Sequence, residues 1–222
     1  QGSGLNATLP HKEAALALAD RATPAARAIG AANLLTFHED GILADNSDAA
    51  GFLAALEPAE PDYAGSTALV LGAGGAARAL VHALMTSGVK NLLISNRTAD
   101  RARALAAELA PHAGVVAWED RDAALAEADI VVNATALGLK GENDLVMDWA
   151  KARTGTIVFD SVYTPLVTGF LGGARQADLK TIDGLDMLIG QARPSFRAFF
   201  GQDAPADPPV RPVLLEALGA RP

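Results

Sequence analysis

Hydrophobic and polar positions change rhythm several times along this chain, and each change predicts an element. Residues 5–9 alternate weakly until Pro10, predicting a short strand and then a helix over about 13–20. Residues 31–37 predict a second strand, turning at Glu39-Asp40-Gly41, and the run from Gly41 to Ala44 predicts a third. Asp45, Asn46 and Ser47 are favourable N-cap residues for a helix reaching about Leu56. The acidic, proline-rich stretch 57–62 reads as a connector and places a domain boundary.

Beyond the connector, apolar β-branched runs alternate with helical spacing. Strands are predicted at 67–71, 91–95, 115–118, 129–135, 156–160 and near 179–182. Helices are predicted at 76–87 (closed by Gly88), 122–127 and about 167–177. Residues 185–193 and 208–218 read as closing helices, with Pro194 ending the first. Such alternation implies a doubly wound parallel sheet with helices on both faces, attached to a smaller α/β unit.

The first strand of that series runs straight into Gly72-Ala73-Gly74-Gly75-Ala76-Ala77-Arg78. Gly72, Gly74 and Ala77 fill the G-x-G-x-x-G/A positions, which give a tight turn, a backbone that a pyrophosphate can approach, and close helix–strand packing. The helix then directs unpaired N–H groups at the phosphates. At the end of the next strand, where NAD-binding folds carry an acid for the ribose, stand Asn96, Arg97 and Thr98. No carboxylate is there to repel a 2′-phosphate and Arg97 can grip one, so the pattern predicts NADP rather than NAD.

Ligands of parallel sheets collect beyond the strands' carboxyl ends. Asn96, the run Asn133-Ala134-Thr135, and residues 160–163 therefore rim one crevice. Asn133 to Thr135 admit two readings, a hold on the cofactor's nicotinamide half or an ordinary strand-ending turn. Lys12 likewise reads as a solvated helix-start lysine or as half of a proton-relaying pair with Asp48, itself either a helix-start acid or that partner. Spacing alone does not decide between them.

The 222 residues are half hydrophobic, yet hold no apolar run long enough to cross a membrane, and the first basic residue, Lys12, precedes no signal-like segment. With no cysteine and four scattered histidines, neither a disulfide nor a metal site is expected. A net charge of −8 argues against nucleic acid. The expectation is a cytoplasmic, soluble protein acting on a small molecule, with monomer and homodimer both open.

Several segments are similar to the motifs of the shikimate dehydrogenase family. The run from Gly4 to Lys12 resembles G-x-N-V-T-x-P-x-K, and Asp45 to Phe52 resembles D-N-T-D-x-x-G-F. The glycine turn and Asn96-Arg97-Thr98 resemble its cofactor loop and its NADP-selecting N-R-T. Residues 133–138 resemble N-A-T-P-L-G, 160–166 resemble D-x-V-Y-x-P, and 184–192 resemble G-L-x-M-L-x-x-Q-A. The motifs keep the family's order along nearly the whole chain. Ala32, Leu34, Ser47 and Ala136 depart from its usual residues.

The resemblance implies reversible, NADP-dependent reduction of 3-dehydroshikimate to shikimate. Lys12 would be the acid/base residue and Asp48 its partner at the substrate. Thr8, Asn33, Tyr163 and Gln191 would bind substrate as well. Gly72 to Ala76, Asn96 to Thr98, Asn133 to Thr135, Gly184 and Met187 would bind the cofactor. A Rossmann domain over 61–188 would face a smaller substrate domain over 1–60, to which helices in 189–222 return. The family's pattern opens roughly 60 residues earlier, with an S-K-S-P segment at the substrate carboxylate, so this sequence is expected to be partial there. A quinate dehydrogenase on the same scaffold would favour NAD and an acid near Arg97. A non-catalytic NADP sensor would keep the glycines without needing both Lys12 and Asp48.

Overall fold

The computed structural model describes residues 3–8, 10–205 and 209–219. Leu9, at the end of the first predicted strand, and residue 208, at the start of the last predicted helix, lie outside them. The larger sheet is wholly parallel, and its strands are β5 (Thr67–Leu71), β6 (Asn91–Ser95), β7 (Gly114–Val116), β8 (Ile130–Asn133), β9 (Ile157–Asp160) and β10 (Lys180–Ile182). Their spatial order is β10-β9-β8-β5-β6-β7. The chain winds outward both ways from β5, so the switch point falls between β5 and β8. Registers Leu71↔Ser95, Leu71↔Asn133 and Asn133↔Asp160 bring these carboxyl ends level.

Strand alternation sorts the core onto two faces. Ala68 and Val70 of β5 face α4 (Gly75–Thr86) and α5 (Ala99–Leu109), while Leu69 and Leu71 face α6 (Gly169–Gln176). All four are fully buried, as befits a central strand covered on both sides.

The smaller sheet has the order β1-β3-β4-β2. It comprises β1 (Gly4–Asn6), β2 (Arg21–Ala22), β3 (Leu34–His38) and β4 (Gly41–Asp45), and β3 and β4 form an antiparallel hairpin. With it go α1 (Lys12–Leu18), α2 (Pro24–Ile29) and α3 (Asp48–Leu56). Phe52 of α3 meets Phe159 of β9 edge-on at 4.9 Å, so the smaller unit's helix shares the large sheet's core.

Beyond shifts at element ends, such as Trp118 in a 3₁₀ turn and β8 ending at Asn133, the structure departs from the sequence reading in four places. Strand β2 and helix α2 were not predicted, although Thr23 caps Ala26 N–H, Pro24 opens α2 and Gly30 closes it left-handed. Residues 31–33 are not strand: Ala32 N–H is spent on Lys12 carbonyl and only Asn33 N–H joins Asp45. The predicted helix 122–127 is a 3₁₀ turn, Ala123–Ala126. Most consequentially, α7 (Gly184–Phe200) runs unbroken through Pro194. The hydrogen bond lost at proline is outweighed by packing. Ser195 accepts from Asn6 Nδ2 at 2.8 Å, and Phe199 lies against Gly4. The boundary drawn at 188 thus falls inside a helix. A last helix, α8 (Val210–Ala217), docks on it through Arg211 to Asp183 and Asp186.

Candidate active site

Strand β5 ends where Gly72 adopts φ +117°, and a Cβ there would lie 2.9 Å from Ala134 carbonyl. Only glycine fits that turn. Gly74 precedes α4, supplies no side-chain cap, and faces open space to 4 Å. Ala77 is fully buried between helix and strand. The first turn of α4 therefore offers uncapped N–H groups and a positive dipole end beside an unobstructed glycine, which fits a dinucleotide pyrophosphate.

The same turn abuts the smaller unit: a Cβ on Gly75 would lie 3.3 Å from Lys12 Cβ. Lys12 opens α1, and its Nζ donates to Asp48 Oδ2 at 2.6 Å, with side chains 11% and 1% exposed. Asp48 opens α3. Its N–H is capped by Asn46 Oδ1 rather than by Ser47, the residue at the N-cap position. Asn33 Nδ2 donates to Asp48 Oδ1 at 2.9 Å and lies 3.0 Å from Gln191 Oε1 on α7. Helices α3 and α7 cross at glycines: a Cβ on Gly51 would lie 2.7 Å from Met187 carbonyl, and one on Gly190 2.9 Å from Gly51 Cα. That close crossing brings Asp48 and Gln191 to one wall.

Between the two units lies a cleft of ≈ 330 Å³. Thr8, Lys12, Asp48 and Gln191 line one side. Ala76, Thr135, Tyr163, Gly184 and Met187 line the other. Ala136, Leu139, Ser161 and Val162 join that second wall without having been singled out as binding residues. Ser161 and Val162 were legible as strand-end positions, whereas nothing in the sequence marked Leu139.

Other predicted residues stand elsewhere. Asn33 is buried behind the Lys12–Asp48 pair, its amide committed to protein acceptors. Asn133 is fully buried beneath the wall and donates to Asp160. Ala134 underlies Gly72. Asn96, Arg97 and Thr98 lie at the end of β6, away from the cleft; Asn96 Nδ2 holds Thr98 carbonyl at 2.9 Å. Arg97 is exposed there, open to an anion. Arg78, by contrast, is spent on Ile29 carbonyl and Glu108. Burial pushes the Asp160 carboxyl up to about 6, against the lowering effect of the donors Thr168, Val162 and Asn133.

The switch-point glycine turn and the buried lysine–aspartate pair across the cleft define a dinucleotide-binding α/β protein equipped to move a proton. Comparison with known proteins narrows this. The family described as "Shikimate / quinate 5-dehydrogenase" matches residues 54–187, its substrate binding domain matches 1–35, and its C-terminal domain matches 184–208. The shikimate dehydrogenase (NADP(+)) of Maricaulis maris is 56% identical over 218 residues, covering 98% of this chain and 78% of that protein. Shikimate 5-dehydrogenase of Thermus thermophilus, solved with NADP(H) and shikimate, is 39% identical with a TM-score of 0.81 over 91% of this chain and 75% of that one. Quinate dehydrogenase of Corynebacterium glutamicum, solved with NAD, is 33% identical with a TM-score of 0.82 over 90% and 72%. The chain belongs to the shikimate dehydrogenase family.

Proposed function

We propose that this chain catalyses the reversible, NADP-dependent reduction of 3-dehydroshikimate to shikimate. The observation that carries the mechanism is the buried Lys12–Asp48 pair, 2.6 Å apart, in the same cleft as the first turn of α4. When bound, NADP supplies the hydride acceptor for oxidation and the donor for reduction. Its pyrophosphate would be held by Gly72 to Ala76, its 2′-phosphate by Arg97 and Thr98 beside Asn96, and its nicotinamide half by Ala134, Thr135, Gly184 and Met187, with Asn133 bracing that wall.

In reduction the Lys12 ammonium gives a proton to the forming hydroxyl oxygen, and in oxidation the neutral amine takes that proton back. Asp48 Oδ2 keeps Nζ in place. Asn33 fixes Asp48 and Gln191 relative to one another. Thr8, Gln191 and Tyr163 offer hydrogen bonds to the substrate, and Asn33 reaches it if Gln191 turns aside. Burial of the pair keeps water from the transferring centre and preserves alignment. We assign substrate binding to residues 1–60 with the helices of 189–222, and cofactor binding to 61–188. No helix among the described residues is long and apolar enough to cross a membrane, and we place the enzyme in the cytoplasm.

The test is reduction of NADP+ and of NAD+ by the purified protein with shikimate and with quinate, its intact mass being measured alongside. Shikimate-dependent NADP+ reduction is expected. Faster turnover of quinate with NAD+ would replace the reading with a quinate dehydrogenase. Cofactor binding without turnover would replace it with a sensor.

A further inference from the structure

We propose that Asp160 is a positioning residue, a buried acceptor on which both loops of the cofactor-side wall of the cleft converge. The proposal rests on the dehydrogenase reading above only for its kinetic consequence. Asp160 ends β9 and is fully buried. Asn133 Nδ2 and Val162 N–H both donate to its Oδ1 at 2.9 Å, and Thr168 Oγ donates to its Oδ2 at 2.6 Å. Three segments therefore converge on one side chain: the end of β8, the loop after β9, and the start of α6.

The hold extends into the cleft. Asn133 Oδ1 accepts from Thr135 N–H at 3.0 Å and from Thr135 Oγ at 2.7 Å, and Thr135 Oγ accepts from Leu137 N–H. Val162 carbonyl in turn accepts Gly184 N–H at 3.3 Å, tying the start of α7 to the same wall. Thr135, Val162 and Gly184 all line the cleft; Asp160 itself does not.

No cation among the described residues compensates this carboxylate. The other charge bearing on it is Asp144, which opposes ionisation, so burial costs the fold more than an apolar residue would. What a carboxylate offers in return is two acceptor oxygens fixed in one plane. Both wall-side donors meet on Oδ1 and the helix-side donor meets Oδ2. Asparagine at this position keeps the Oδ1 acceptor and hence both wall contacts, whereas alanine keeps none.

The experiment compares wild type, Asp160→Ala and Asp160→Asn in two independent measurements. Amide hydrogen exchange of the ligand-free protein should show Val162 and Thr135 losing about tenfold or more protection in Asp160→Ala and regaining it in Asp160→Asn. In steady-state assays, Asp160→Ala should lower kcat by about 100-fold, the penalty of a wall misplaced by about 1 Å. The NADP dissociation constant, set mainly at the glycine turn and Arg97, should stay within about threefold. Asp160→Asn should recover most of kcat. Unchanged exchange or unchanged kcat in a folded Asp160→Ala overturns the proposal, as does an Asp160→Asn variant no better than alanine.

Should Asp160→Ala fail to fold, Asn133→Ala removes the other end of the tether. Lost protection at Thr135 and a tenfold lower kcat support the proposal, and wild-type values for both overturn it. Should wild type itself show no shikimate-dependent turnover, the functional reading falls and exchange alone decides. Lost protection at Val162 and Thr135 sustains the positioning role, and retained protection ends it.

Discussion

Replacing Lys12 by methionine separates what the buried pair does for the fold from what it does for the reaction. Methionine keeps the length and apolar stem of the lysine but leaves Asp48 without its cation. Asp48 is fully buried, and its remaining support is Asn33 Nδ2 at 2.9 Å on Oδ1. Removing one partner of a buried pair costs about 3–5 kcal/mol. Because the Asn33 bond survives, the lower end, about 3 kcal/mol at neutral pH, is expected in urea denaturation. The double variant Lys12→Met/Asp48→Asn buries no charge and should return to within about 1 kcal/mol of wild type. Turnover behaves differently. Loss of a positioned acid/base costs about 10²–10⁴-fold in kcat, or about 3–5 kcal/mol of transition-state stabilisation, and the second substitution cannot restore it. NADP binding should stay within about threefold in both variants. A double variant that regains stability yet stays inactive supports both roles. Wild-type turnover in Lys12→Met would remove Lys12 from the mechanism, and equal stability of single and double variants would refute the electrostatic accounting.

Three other outcomes are expected. Arg97→Ala should weaken NADP about 10- to 100-fold in binding titrations, the loss of a charge-assisted phosphate contact, while NAD shifts little; equal losses would refute the 2′-phosphate role. Gly190→Ala puts a methyl 2.9 Å from Gly51 Cα and 3.3 Å from Ala54 Cβ, so it should cost about 1–3 kcal/mol and raise KM for shikimate by shifting Gln191 from Asp48; an unaltered KM would show that the helix crossing does not set substrate geometry. Asp160 binds its proton more tightly folded (about 6) than at the ordinary 3.8. Its contribution is thus fully present below about pH 4 and is lost as pH rises through 6, on the order of 3 kcal/mol in all. The stability difference between wild type and Asp160→Asn should therefore decline across that window, and a flat difference would contradict the burial argument.

The sequence by itself determined most of the large sheet. Strands buried on both faces are apolar at nearly every position, and such runs announce themselves, as 68–71 and 130–132 do. The glycine turn was equally legible, because a positive φ at Gly72, with no room for a Cβ beside Ala134 carbonyl, admits so few residues. Arg97 at the end of β6 was readable from strand order alone.

Tertiary structure decided what depends on partners distant in sequence. That Lys12 is half of a buried pair follows from Asp48, 36 residues on, and no local signal distinguishes it from a solvated lysine. Pro194 reads as a stop, yet α7 continues, since its far half packs on β1 and local propensity yields to that contact. That Asn33 and Asn133 brace carboxylates was not legible either, because an amide shows its partners only when its acceptors, Asp48 and Asp160, come within hydrogen-bond reach. Periodicity records which face of an element is buried; it carries no record of which polar groups meet once those faces close.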